Sequence, residues 1–174
     1  MALRNIVKIG DPLLAKKCRE QKKFDDKLAT LLDDMKETMY NADGAGLAAP
    51  QVAVLRRICV VDPRDEINEY VELINPVIIE REGSQEGVEG CLSVPKRMGL
   101  VERPMRITVK AQNRYGEEFT LKAEGFFARA ICHEMDHLDG VLYTDIMERE
   151  VYPEEIEQKK KVKYRRVEKQ EEQA

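Results

Sequence analysis

Long apolar runs are missing from this chain. No hydrophobic stretch in its 174 residues approaches the roughly 20 positions that a membrane-spanning helix requires, so neither a transmembrane helix nor a membrane partner is expected. The opening residues, Met1 to Val7, have neither the apolar core and cleavage site of a secretory signal nor the Arg/Ser-rich character of a transit segment, and a cytoplasmic protein is expected. An excess of positive charge is absent as well: 29 Lys and Arg face 33 Asp and Glu, for a net charge of -4. That argues against DNA as a partner and against nucleic-acid binding by the protein as a whole, while leaving room for a local basic patch. The four cysteines, Cys18, Cys59, Cys91 and Cys132, include no Cys-x-x-Cys pair of a zinc ribbon or redox motif. Free thiols are expected unless one binds metal. Repeats and dividing linkers are also missing. With 43% apolar residues there is material for one core, and a single domain over residues 1–150 with a charged helical tail over 151–174 is expected.

What is present starts with periodicity. Residues 1–24 read as irregular, with a turn at Gly10-Asp11-Pro12. Leu28, Leu31, Leu32, Met35 and Met39 then recur at helical spacing behind Asp25 and Asp26, predicting a helix that ends near Asn41. The pattern next switches to short strands at Ile58 to Val61, Tyr70 to Ile79, Arg106 to Ala111 and Glu117 to Lys122, with Asn113 to Gly116 as a hairpin turn. Residues 126–138 return to helix, stopped by Asp139-Gly140. Cys59 and Cys132 read as core residues, and Cys18, in a lysine-rich stretch, as incidental. From Pro153 to Ala174 large apolar residues are nearly lacking, as in a solvated helix that frays. Helices and strands are segregated, so the class is α+β, with mostly antiparallel sheets packed around the helix of residues 126–138.

Histidine is scarce, and its placement carries chemistry. The two histidines stand four apart in His133-Glu134-Met135-Asp136-His137. On a helix these positions share one face, so both imidazoles can grip one metal ion while Glu134 reaches a water bound to it. A catalytic site of this type needs a third protein ligand and an open position. Tyr143 stands where metzincin-like proteases place a third histidine, and Glu148, Glu150, Glu154 and Glu155 lie in a polar tail poorly suited to hold a buried ligand. Cys91 remains, flanked by Gly90, which lets backbone approach a ligand closely, and its thiolate completes a His2Cys set.

Three motifs now stand in order: Gly44-Ala45-Gly46-Leu47-Ala48-Ala49-Pro50-Gln51, Glu89-Gly90-Cys91-Leu92-Ser93 and His133-Glu134-Met135-Asp136-His137-Leu138. With this spacing the chain resembles the bacterial peptide deformylases over residues 1–150. The resemblance implies a metallohydrolase that removes the formyl group from the N-terminal formylmethionine of new polypeptides and releases formate. It implies one divalent ion on Cys91, His133 and His137, natively ferrous iron, although the ligand set also admits zinc, nickel or cobalt. Glu134 would take a proton from the attacking metal-bound water and return it to the leaving amine. The Gln51 amide and the Leu92 N–H would stabilise the oxyanion.

For the substrate, the resemblance implies that backbone around Gly44, Ala45 and Gly46 pairs with the peptide like an added strand. Ala45 occupies a position that is usually a larger aliphatic residue in the family, which points to a wider or differently filled methionine pocket. Helical spacing from His133 makes Phe126, Arg129 and Ala130 either pocket walls or ordinary core packing. Arg97 matches a substrate-contacting arginine of the family, and Glu89 and Gly90 join the substrate-binding set, with Glu89 and Arg103 a candidate pair that orients the Cys91 loop. The basic run from Lys159 to Arg166 reads as a solvated face, or as a contact with ribosomal RNA of the kind some family members make through a C-terminal helix. Two rival readings stay open: a His-Glu-x-x-His metalloprotease, which would not need Cys91, and a non-catalytic metal-binding module, which would not need Glu134.

Overall fold

The computed structural model describes residues 2–173, so Met1 and Ala174, at the two ends of the sequence readings, lie outside it. Along the chain come α1 (Asp26–Asn41), β1 (Gly46–Ala48), β2 (Ile58–Val61), β3 (Val71–Glu82), β4 (Gln85–Cys91), β5 (Val94–Arg103), β6 (Arg106–Gln112), β7 (Glu118–Glu124), α2 (Phe126–Leu138), α3 (Tyr143–Ile146), β8 (Arg149–Glu150) and α4 (Pro153–Glu172). Five strands form one antiparallel sheet in the order β1-β2-β3-β6-β7, and three form another in the order β4-β5-β8. The architecture is α+β.

Local chemistry explains the elements that place the site. Asp25 caps α1 by accepting from the Leu28 N–H at 3.1 Å, and the five helically spaced apolar residues of α1 form one buried face. That face covers Ile58 and Val60 on one side of the five-stranded sheet, while Cys59 and Val61 on the other side meet α2. β2 is therefore buried throughout, and a strand covered on both faces reads as a continuous apolar run. Pro76, which has no N–H to give the ladder, falls where the register of β3 shifts between Ile74 and Val77.

α2 is the helix on which both sheets converge. It packs on β1, β2 and β7 and reaches β5, and all of its residues except Phe126 and Asp136 are buried. Ile131 and Leu138 are fully enclosed, and each contributes roughly 1.5–3 kcal/mol by leaving water. A second, polar stripe of Arg129, His133, Asp136 and His137 follows the same helical spacing. No helix of the described residues is long and apolar enough to cross a membrane.

Three departures from the sequence reading bear on the core and the site, besides the short elements β1, α3 and β8. The stretch between the predicted strands at 79 and 106 is a hairpin, β4 and β5, whose residues alternate among cavity, ion-pair network and solvent, so that no apolar period marks it. Cys18 is not incidental. It joins the core beside α2, its N–H donates to the Leu138 carbonyl at 2.8 Å, and burial pushes its thiol up to about 11. The first turn of the tail is not fully solvated either: α4 is a regular helix with Glu155 and Ile156 half-buried.

α2 ends where the N-terminal segment crosses it. Gly140 has φ +74°, and a Cβ there would lie 2.4 Å from the Ala15 carbonyl oxygen. Gly140→Ala is expected to destabilise the protein by more than about 1 kcal/mol, since strain at positive φ and a backbone clash add. Urea unfolding measures this, and an unchanged midpoint would contradict the packing described.

Candidate metal centre and catalytic cavity

Cys91 is the last residue of β4, brought round by a tight Leu92-Ser93 turn that pairs it with Val94. α2 presents His133 and His137 one turn apart on its polar stripe. Together they place one sulfur and one nitrogen from each imidazole within 4.8 Å of one another, and Cys91 Sγ lies 3.3 Å from His137 Nε2. A tetrahedral ion with bonds of about 2.0–2.3 Å holds its ligand atoms roughly 3.3–3.8 Å apart. A thiolate and two imidazoles suit a borderline-soft divalent ion, so the residues present fit the group.

Behind the imidazoles stands Glu89, 5% exposed. Arg103 donates to both of its oxygens at 2.8 Å, Arg129 to Oε2 at 2.7 Å, and His133 Nδ1 to Oε1 at 2.8 Å. An ionised carboxylate only accepts, so His133 carries a proton on Nδ1, and Nε2 is the nitrogen that faces the ligand position. Arg103 also reaches Asp136 at 2.5 Å. Burial alone would raise the pKa of Glu89, but its hydrogen bonds to Arg103 and His133 outweigh burial and hold it well below the usual carboxylate range. Burial would depress His133, yet hydrogen bonds with Cys91 and Glu89 push it up to about 10. His137 is driven well below its ordinary value by burial, then by His133 and Arg103.

Glu134 points into the same space from α2. Burial, partly opposed by His133, pushes its carboxyl up to about 7. Its Oε1 lies 4.0 Å from His133 Nε2, and its buried Oε2 has no hydrogen-bond partner among the described residues. Gly46 makes the room, because a Cβ there would lie 2.6 Å from Glu134 Oε1. Gln51 is fixed from both ends: its Oε1 accepts from the Ala48 N–H at 2.9 Å, and its Nε2 donates to Ser93 Oγ at 3.0 Å. The second amide hydrogen has only the Cys91 sulfur, 3.6 Å away.

These groups open onto a cavity of about 520 Å³. Gly44, Ala45 and Gly46 line one side and Gly90, Cys91 and Leu92 another. Ala130 is a buried wall, and Phe126, 55% exposed, stands at the mouth. Arg97 borders the cavity while paired with Glu150. Two residues of the expected substrate-binding set are placed differently. Glu89 touches the cavity but commits both oxygens to Arg103, Arg129 and His133, so it serves the imidazole rather than a substrate. Arg129 contributes to the wall, but its guanidinium turns back to Glu89 and the Val101 and Gln85 carbonyls. The expected Glu89–Arg103 pair is present.

Sequence reasoning missed Ser93, Asp136 and the partnership of Arg129 with Glu89. Asp136 and Ser93 each stood inside a motif, Asp136 as a charge on the Arg129 side of the helix. Tyr143 stacks on His133, with ring centroids 6.0 Å apart.

A ligand-capable Cys-His-His cluster beside a buried carboxylate, on an α+β scaffold, defines a metal-dependent hydrolase. The chain belongs to the polypeptide deformylase family, whose model matches residues 3–151. A peptide deformylase of Caldicellulosiruptor bescii is 56% identical over 160 residues, spanning 92% of this chain and 95% of that protein. Peptide deformylase 1 of Clostridium acetobutylicum is 57% identical over 145 residues, spanning 83% and 95%. The crystal structure of peptide deformylase from Thermotoga maritima matches with a TM-score of 0.82 at 42% identity, covering 86% of this chain and 100% of that one. One from Synechococcus elongatus in complex with actinonin matches at 0.79 and 39% identity, covering 84% and 79%.

Neutralising Glu89 tests the network. Glu89→Gln leaves two buried guanidiniums facing a neutral amide and is expected to cost about 3 kcal/mol or more in urea unfolding. Metal affinity, measured by competition with a chelator, is expected to fall about 10- to 100-fold as His133 loses its carboxylate. Stability and affinity both equal to wild type would remove Glu89 from this role.

Proposed function

We propose that the protein removes the N-formyl group from the N-terminal formylmethionine of newly made polypeptides, with residues 1–150 as the catalytic unit. The observation that carries this reading is the unpartnered Glu134 Oε2, buried beside the Cys91, His133 and His137 cluster at the end of an open cavity. Those three residues would hold one divalent ion, natively ferrous iron, with zinc, nickel or cobalt as substitutes; metal analysis of anaerobically prepared protein distinguishes them. When bound, the ion supplies a Lewis acid that acidifies water and polarises a carbonyl.

Glu134 takes the proton from the water that attacks the formyl carbon and delivers it to the nitrogen of the departing amine, leaving formate. A carboxyl raised by burial toward neutral pH suits both halves of that transfer. Charge developing on the formyl oxygen is met by the spare Gln51 amide hydrogen and the Leu92 N–H on either side of Cys91. The peptide is held by backbone. β1 is the edge of its sheet, so the Gly44 to Gly46 segment can accept an added strand whatever the side chains that follow. Ala45, Phe126 and Ala130 border the space for methionine, and Arg97 and Gly90 flank the chain beyond it. Ribosomes make such substrates in the cytoplasm, which the reading assigns as the compartment.

Formate release from a formyl-Met peptide is expected for the wild type. Glu134→Gln should lower the rate about 10²- to 10⁴-fold with the metal retained, whereas Cys91→Ser should lose metal first. Undiminished release by Glu134→Gln would reject the mechanism. Internal peptide cleavage that survives Cys91→Ser would favour the protease reading, and metal binding with no turnover of either substrate the non-catalytic one.

The outward face of α4 supports a second element of the proposal, contact with ribosomal RNA. By helical spacing, Lys161 and Arg165 lie opposite the face that Ile156 packs toward the body. Truncation after Glu150 is expected to weaken salt-dependent co-sedimentation with ribosomes. Unchanged co-sedimentation would discard the contact.

A further inference from the structure

A second groove of about 380 Å³ lies between the β4–β5 hairpin and α4. Val88, Met98 and Val151 line both this groove and the catalytic cavity, so the two adjoin. Val88 and Met98 are each 37% exposed, and with Phe126 they form an apolar track from the cavity mouth to the half-buried Ile156. On the far rim stand Lys159, Lys160 and Lys163, which fall on the Ile156 face of α4 by their i+3, i+4 and i+7 spacing. Glu155, the acidic residue of the groove, is bound by Arg149 at 2.9 Å. Among the described residues none of the three lysines is paired with a carboxylate. The groove thus has an apolar floor and a rim on which three lysines face one carboxylate, Glu155, whose ion pair is with Arg149, in a chain of net charge -4.

We propose that this groove is an extended substrate subsite that takes the downstream residues of the formyl peptide and favours acidic side chains among them. The inference rests on the deformylase reading and adds a sequence preference to it. A chain whose first residue fills the cavity and whose backbone lies along β1 leaves past Val88 and Met98. An extended chain advances about 3.3–3.6 Å per residue, so a few residues carry it over the floor to the lysines. There carboxylates meet the rim and apolar side chains lie on Val88, Met98 and Ile156. Exposed charges act mainly by steering, so the effect is modest and sensitive to salt.

Formate release by the full-length metal-loaded enzyme tests this, without ribosomes. The substrates are formyl-Met-Ala and formyl hexapeptides beginning Met-Ala with Glu or Lys at positions four to six. At low salt, kcat/KM is expected to be about three- to tenfold higher for the Glu peptides than for the Lys peptides, with the ratio falling toward one at high salt. Lys→Gln at residues 159, 160 and 163 should bring the ratio to about one, and Lys→Glu at the same positions should invert it, with formyl-Met-Ala turned over at the wild-type rate by both. Lys161→Glu with Arg165→Glu, on the opposite face, should leave the preference standing. Equal rates for the two series in the wild type, or a preference that survives the triple reversal, overturn the proposal. So does a preference that falls equally in both charge-reversal variants, since it then belongs to the overall field. If formyl-Met-Ala is turned over without any charge preference, the groove alone is rejected; if it is not turned over, the deformylase reading falls with it.

Discussion

Glu89 locks the hairpin that carries Cys91 to the helix that carries both imidazoles. A carboxylate offers about four acceptor sites, and here four donors fill them: two from Arg103, one from Arg129 and one from His133. The spacing between Cys91 and the two imidazoles follows from this saturation. The hairpin cannot shift along α2 without leaving a buried charge unpaired, and His133 cannot rotate without abandoning Oε1. Such a network adds little stability over an apolar core, because desolvating three ions offsets most of their attraction. What it supplies is a fixed distance between a strand end and a helix face.

The surrounding fold keeps that distance dry and rigid. α2 meets both sheets, with its apolar stripe in the main core and its polar stripe toward the hairpin. The two stripes have different jobs in one 13-residue segment. The N-terminal segment closes over the end of α2 through Cys18 and Gly140, so a stretch with little regular structure of its own still restrains the helix that carries both imidazoles.

The legible parts of this chain are those in which one physical pattern dominates. α1 shows its helix because a single apolar face is buried, and β2 shows its strand because both faces are. The pair of histidines and Cys91 were legible because ligand chemistry restricts residue type and spacing so tightly. β4 and β5 were opaque because successive residues answer to different neighbours: Glu89 to two arginines, Cys91 to the imidazoles, Val88 to the cavity. Helical spacing correctly put Arg129 on the side of His133, but periodicity assigns a face and says nothing about where a long side chain reaches. Cys18 was hidden by its lysine neighbours, since part of what covers it, the end of α2, arrives from residues more than a hundred positions away.

Gly46 and Glu134 come from different elements and share one small volume, in which the strand backbone stands where a side chain would otherwise be. The carboxylate is therefore confined between a peptide plane and an imidazole ring. A side chain confined in this way has few conformations open to it, so its position depends on how closely β1 and α2 hold their separation. Any shift in the packing between those two elements is then felt directly at the carboxylate.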